Sequence, residues 1–417
     1  MTTTRGADGR LRVGIAGCGI IANAHLPYVR QAGGEPVALC DLSIATSGEL
    51  ADRHGIQRVY RSVEEMLDVE RLDAIHVLTP PHAHAPVAIA ALERGVPALI
   101  EKPLALRASD VDAMAAAARR GGTFFTADHN RLFDPPMLVA RDLWESGALG
   151  ELVAIESYQA GVASEREWLG ELAGGGIGDL VPHPLYLQLY FLGKVGRLEA
   201  MAFAPDRGNG PGGRIEELRV LMEGEGRTGS LTISMNASPM MNTLKLCGSK
   251  MTVEVNLNNM TIVRRRDYKV PKIIAKPLPN LDESWQLVTQ TTRNTVDFVR
   301  GKIRFYPGMG ELIRRFYDAI RRGTPPPVSE AEAAAVVEVT TRIWDAVAAA
   351  DSPVGQDRPA ATTARPAPRA RSTKAAARTA AAVAAEPAPP VIVETLPDAP
   401  ASPTLETESA DSARSGD

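Results

Sequence analysis

The tightest constraint in this chain is a glycine turn placed directly after a strand signal. The apolar run Leu11-Arg-Val-Gly-Ile-Ala16 ends in Gly17-Cys-Gly19-Ile-Ile-Ala22, and a helical stretch follows to about Gln31. Gly17 allows a tight turn, Gly19 leaves the backbone open to a pyrophosphate, and Ala22 is small enough for close helix–strand packing. The helix start at Ile20 and Ile21 then offers unpaired N–H groups and a partial positive charge. Val37-Ala-Leu-Cys40 reads as the next buried strand. It ends at Asp41, about 20 residues past the turn, where a carboxylate can hold ribose hydroxyls. No arginine stands at 42 or 43 to receive a 2′-phosphate, so NAD is favoured over NADP.

The alternation continues. Ser43 caps a helix to about His54, closed by Gly55, and Asp73-Ala-Ile-His-Val-Leu78 is a strand. Pro81 to Arg94 is a helix stopped by Gly95; strands at Ala98–Ile100 and Thr123–Thr126 flank a helix from Ser109 to Arg120. Strands without polar alternation, joined by helices, imply a parallel sheet covered on both faces. From Glu151 the pattern becomes hairpin-like. Glu216–Glu223 and Thr228–Asn236 turn through Gly224-Glu-Gly226, and Leu244–Cys247 and Met251–Val255 turn through Gly248 and Ser249. The expected fold is α/β. Residues 1–128 form a Rossmann, doubly wound parallel sheet, and 129–350 an α+β domain whose large, mostly antiparallel sheet carries few helices. Residues 351–417, rich in Ala and Pro and without an aromatic residue, are expected to be a disordered tail.

Composition narrows the function. Among 417 residues the net charge is −4, a poor balance for coating nucleic acid or an anionic membrane. Three scattered cysteines argue against a disulfide framework or a zinc site, and no metal is expected. No apolar run reaches membrane-spanning length and the first ten residues lack a secretory h-region, so a cytoplasmic location is expected.

Two motifs exceed what packing needs. Glu101-Lys102-Pro103 lies at the carboxyl end of the Ala98 strand, the side where open α/β sheets bind ligands. Gly174-Gly-Gly-Ile-Gly-Asp179-Leu-Val-Pro-His183 implies unusual backbone angles or close approach to a ligand. Its Pro182 suits the first turn of a helix running to about Leu192 and stopped by Gly193.

Together, Gly17-x-Gly19-x-x-Ala22, Asp41, Thr79-Pro80-Pro-His-Ala-His84, Glu101-Lys102-Pro103 and Gly174-Gly-Gly-x-x-Asp179-x-x-x-His183 resemble the Gfo/Idh/MocA family of nicotinamide-dependent oxidoreductases. The resemblance spans about residues 10–350. It implies cofactor contacts at Thr79, Pro80, His84, Glu101 and Lys102, a catalytic trio of Lys102, Asp179 and His183, and a homo-oligomer, dimer or tetramer, built through the open sheet. Asp128-His-Asn130-Arg131 looks like members acting on free or nucleotide-linked sugars, with Asn130, Arg131 and Trp168 toward substrate. Many members carry a carboxylate three residues after the histidine, and here that position is Tyr186.

The reaction this implies is oxidation of a secondary alcohol. A lysine near pKa 10.4 would need to fall about three units, roughly 4 kcal/mol, to act as base at neutral pH. A histidine near 6.5 needs almost no shift. His183 is therefore favoured as base, with Asp179 orienting it or holding a sugar hydroxyl and Lys102 stabilising developing alkoxide charge. An adjacent nicotinamide cation could reverse that order by lowering the lysine pKa. Two other readings use the same fold: a lyase or glycosidase with transient redox, and a non-catalytic NAD-sensing regulator.

Overall fold

The structure, a computed structural model, describes residues 9–161, 167–204, 215–301, 303 and 305–350. The tail assigned to 351–417 lies outside the described residues.

The first half alternates β1 (Leu11–Ala16), α1 (Ile20–Gln31), β2 (Gly34–Cys40), α2 (Ile44–His54), β3 (Arg58–Tyr60), α3 (Val63–Val69), β4 (Ala74–Val77), α4 (His84–Glu93), β5 (Ala98–Ile100), α5 (Ala108–Gly121) and β6 (Phe125–Ala127). The six strands pair in parallel in the order β3-β2-β1-β4-β5-β6. Val13, Ile15, Ile75, Val77, Leu99 and Ile100 are fully buried, which explains the lack of polar alternation in these strands. The caps fall where the sequence signals stand. Ser43 Oγ accepts from Thr46 N–H at the start of α2, and Gly55 ends it in the left-handed region. The strand order reverses between β1 and β4, so their carboxyl ends open a crevice at Gly17 and Thr79.

The second half holds α6 (Pro135–Glu145), β7 (Leu152–Ala160), α7 (Gly176–Leu180), α8 (Pro182–Leu192), β8 (Val195–Phe203), β9 (Glu217–Gly224), β10 (Arg227–Ser234), β11 (Met241–Gly248), β12 (Met251–Asn256), β13 (Thr261–Arg266), α9 (Lys272–Ala275), α10 (Leu278–Val299), α11 (Pro307–Arg322) and α12 (Glu330–Ala350). The sheet order is β13-β12-β11-β7-β10-β9-β8, antiparallel except where β7 meets β10. The β9–β10 hairpin turns through Glu225 and Gly226, both at positive φ, the geometry that matches strand twist.

Helix content differs from the expectation of few helices. α8 and α12 cover one face of the second sheet, and α11 returns to the first domain. There Gly310 packs against the Tyr28 ring, and Arg321 donates to the carbonyls of Ala32 and Gly33 at 3.1 and 2.9 Å. The hydrogen bonds joining α11 to the end of α1 link residues 288 and 289 positions apart, so no local pattern announces them.

Candidate active site

The crevice at the end of β1 is built for an anionic ligand. Gly17 sits at φ +92°, and a Cβ there would lie 2.5 Å from the backbone of Leu78 and Thr79. At Gly19 nothing stands within 4 Å of the same position, which leaves open space over the turn. α1 starts with no side-chain cap, so its first N–H groups remain available. Asp41 Oδ2 accepts from Cys18 N–H and Oδ1 from Ser43 N–H, each at 2.8 Å, which ties the end of β2 to the glycine turn. Each oxygen keeps a lone pair for a hydroxyl donor. Across the crevice, the Thr79 hydroxyl oxygen is buried without a hydrogen-bond partner. An open turn, an uncapped helix and an orphaned hydroxyl fit a dinucleotide: pyrophosphate at Gly19–Ile21, ribose at Asp41, and Thr79 toward the nicotinamide end.

The second cluster forms where β5 ends. Lys102 Nζ lies 2.6 Å from Asp179 Oδ1 and 3.2 Å from the Asp179 carbonyl, joining residues 77 positions apart. Asp179 is on α7 and His183 one turn later on α8, but Asp179 is paired with Lys102 rather than with His183. His183 Nδ1 instead meets the Tyr186 hydroxyl at 3.0 Å. Tyr186 thus fills the position where many members of the family carry a carboxylate. Its hydroxyl also accepts from Arg131 N–H at 3.3 Å and faces Asn130 Oδ1 at 3.5 Å. The arrangement satisfying all of these has Tyr186 donating to Asn130 and accepting from Arg131 N–H and His183 Nδ1–H. It leaves Nε2 of His183 unprotonated. Burial holds the His183 pKa well below its usual value, and the charges of Lys102 and Arg131 push the same way. His129, stacked on Tyr186 at 4.4 Å, is driven down to about 3 by burial. The cluster therefore presents a cation held by a carboxylate beside a neutral imidazole.

Behind Lys102 lies a buried group the sequence reading missed. His25 Nε2 is 3.2 Å from Asp128 Oδ2 and 3.5 Å from Glu101 Oε1, and all three residues are buried. His25 Nε2 makes no well-formed hydrogen bond to either carboxylate, so the contact is an ion pair. Burial opposes charge on His25, but the two carboxylates outweigh it and push its pKa up to about 9. Burial and Glu101 raise Asp128 to about 6. The other ring nitrogen of His25 meets His76 Nδ1 at 3.0 Å, and His76 Nε2 meets the Tyr317 hydroxyl at 2.9 Å. Glu101 Oε2 accepts from Lys102 N–H at 2.9 Å, so this group fixes the backbone that carries the lysine. The signal in the sequence was a histidine in the otherwise apolar core stripe Ala22, Leu26, Val29 of α1.

Other expected residues take different places. His84 is buried, with its ring nitrogens 2.8 Å from the Thr79 carbonyl and 2.9 Å from the Pro103 carbonyl; it staples the crevice loop to the lysine corner. Glu101 faces His25. Trp168 is partly exposed on a short 3-10 turn, Glu167–Glu171. The glycine run has an internal cause: Gly174, at φ +75°, lies against Trp344, whose ring would be 1.9 Å from a Cβ there.

A doubly wound sheet with this turn at its strand ends defines a dinucleotide-binding fold. Residues 11–129 match the oxidoreductase family, NAD-binding Rossmann fold, and residues 137–254 match the Gfo/Idh/MocA C-terminal domain. The chain belongs to the Gfo/Idh/MocA family, and its first domain is an NAD-binding Rossmann domain. It is 30% identical over 195 residues to D-apiose dehydrogenase of Paraburkholderia graminis, covering 46% of this chain and 52% of that protein. It is 26% identical over 242 residues to levoglucosan dehydrogenase of Pseudarthrobacter phenanthrenivorans, covering 54% and 62%. The chain thus spans about half to three fifths of these curated relatives. The WlbA dehydrogenase from Bordetella pertussis, solved with NADH and UDP-GlcNAcA, shares the fold with a TM-score of 0.66 at 19% identity, over 84% of this chain and 98% of that one. Among the described residues no helix is long and apolar enough to cross a membrane.

Proposed function

We propose that this protein is an NAD-dependent oxidoreductase acting on a secondary alcohol of a sugar, sugar nucleotide or polyol. The observation that carries the reading is the Lys102–Asp179 pair at 2.6 Å with neutral His183 beside it, at the strand ends next to the NAD-binding turn. The relatives named above act, by their names, on D-apiose and levoglucosan, which supports a sugar-like substrate. When bound, NAD supplies the hydride acceptor, or NADH the donor.

The side chains handle position and protons. Nε2 of His183 accepts the hydroxyl proton, and Tyr186 holds the ring in the tautomer that makes this nitrogen basic. Lys102 donates to the reacting oxygen and stabilises its developing negative charge, while Asp179 keeps the ammonium in place. Asn130 and Arg131, anchored beside Tyr186, face further substrate hydroxyls. Asp41 repels a 2′-phosphate and so favours NAD over NADP.

The test is NADH formation across a panel of sugars, sugar nucleotides and inositols. One member should turn over. His183→Asn should then slow it roughly 10²–10⁴-fold with little change in NAD affinity, and Lys102→Met should slow it while keeping the acidic limb of the pH profile. Because His183 is held low, that limb should lie below pH 6.5 in the parent and vanish in His183→Asn. A limb that survives in His183→Asn and disappears in Lys102→Met would assign the base to Lys102.

A further inference from the structure

α10 is 22 residues long, and none of them is buried. One of its faces is nonetheless engaged. Gln286 accepts from Arg264 N–H at 2.9 Å and donates to its carbonyl at 3.0 Å, and Gln290 does the same with Ile262 at 2.8 and 2.7 Å. Asn294 donates to the Met260 carbonyl at 2.7 Å. Amides four residues apart on a helix, with a repeat of about 6 Å, match alternate residues of a strand at about 6.6 Å. α10 thus caps the free edge of β13, the edge that would otherwise recruit another strand.

The opposite face has no such partner among the described residues. At 100° per residue, Leu281, Trp285, Val288, Thr292, Thr295 and Val299 all lie within about 40° of the direction opposite Gln290. Leu281 is 66% exposed, Trp285 68%, Val288 59% and Val299 79%. Their alternating spacing of four and three residues is the seam that one helix offers to another. A strand or extended peptide would ask for a different period.

We infer that this seam is filled by α10 of a second copy of the chain, antiparallel, about a two-fold axis near residue 290. Reversing the helix sets Leu281 against Val299, Trp285 against Thr295 and Val288 against Thr292, so large side chains meet smaller ones. A parallel pair would set tryptophan on tryptophan and bury the threonines against each other. The six seam side chains expose roughly 600 Å² per copy, so a pair that covers them buries about 1,200 Å² in total, the lower end of the range for a specific interface. The contact is independent of the proposed reaction and distinct from the open sheet face.

Sedimentation velocity of the full chain at micromolar concentration tests it. The parent should run as a dimer or larger. Val288→Glu should halve the mass, and Leu287→Glu, the same change on the helix flank, should leave it intact. A monomeric parent, as when residues 351–417 cover the seam, overturns the inference, as does full mass in Val288→Glu. Cross-linking guards against misfolding of that variant. Val288→Cys and Thr292→Cys, on separately tagged chains in a Cys247→Ser background, should give a covalent dimer when mixed and oxidised. No cross-link in the mixture, or one formed by Val288→Cys alone, overturns the antiparallel pair.

Discussion

Tyr186 and Asp41 each use a single polar group to set the state of a neighbour. The Tyr186 hydroxyl accepts from Arg131 N–H and meets His183 Nδ1, so the proton on the neutral imidazole is confined to Nδ1. Tyr186→Phe keeps the ring stacked on His129 but frees the tautomer. The rate constant kcat should fall roughly 10–100-fold with a smaller change in KM, a split that steady-state kinetics on the active substrate would read. Asp41 holds the glycine turn through Cys18 N–H, and in the proposed reading it also offers its charge to ribose. Asp41→Ala should weaken NAD binding roughly 10–100-fold and narrow the preference over NADP, measured by calorimetric titration of both cofactors. Equal losses for both would leave Asp41 with a structural role alone. The identities of Lys102, Asp179 and His183 were legible because each stands in a motif with a strand end or helix start beside it. Their partners were not: Lys102 with Asp179, and His183 with Tyr186, depend on rotamers and on contacts across 77 residues in the first case.

Helices and strands in the first domain could be read closely from sequence because each end carries its own chemistry. Ser43 accepts its capping bond and Gly55 closes α2 where expected; in the second half, Gly193 does the same for α8. α10 escaped the reading, since its polar face binds strand backbone rather than solvent and its apolar face is exposed. The Gly174 run was legible as a backbone anomaly, but its cause, the Trp344 ring of α12, lies about 170 residues away. Gly174→Ala adds a methyl against that ring and forces a side chain into positive φ. It should cost about 2–4 kcal/mol and lower the melting temperature. α7 follows directly, so Lys102–Asp179 pairing and turnover should fall as well. A variant of parent stability would show that α12 yields at this contact.

Across the whole molecule, buried titratable groups set a pH window for stability. His76, His129 and His183 are neutral in the fold because burial depresses their pKa values, His129 to about 3. Their contribution is complete above the unfolded value near 6.5 and is lost as pH falls toward the folded values. Asp134, raised to about 7 by burial, acts oppositely, stabilising the fold as pH drops through that range. With His84 and His54 also lowered by burial, the depressed histidines outnumber it, so the acid side should be a net loss. On the alkaline side His25 decides. Its pKa is raised to about 9 against Asp128 and Glu101, so its contribution is complete below 6.5 and disappears as pH rises through 9. Melting temperature should therefore peak near pH 6.5, falling as pH drops below it and falling again between about pH 6.5 and 9, where the unfolded chain has lost the His25 proton and the fold still holds it. His129→Phe keeps the stack on Tyr186 while removing one titration, and should make the acid fall shallower. His25→Gln leaves two buried carboxylates without their cation; it should lower the maximum and erase the alkaline fall between about pH 6.5 and 9. If that fall persists in His25→Gln, the alkaline limit belongs to another group, and the charge behind Lys102 is not what holds the first sheet to α1.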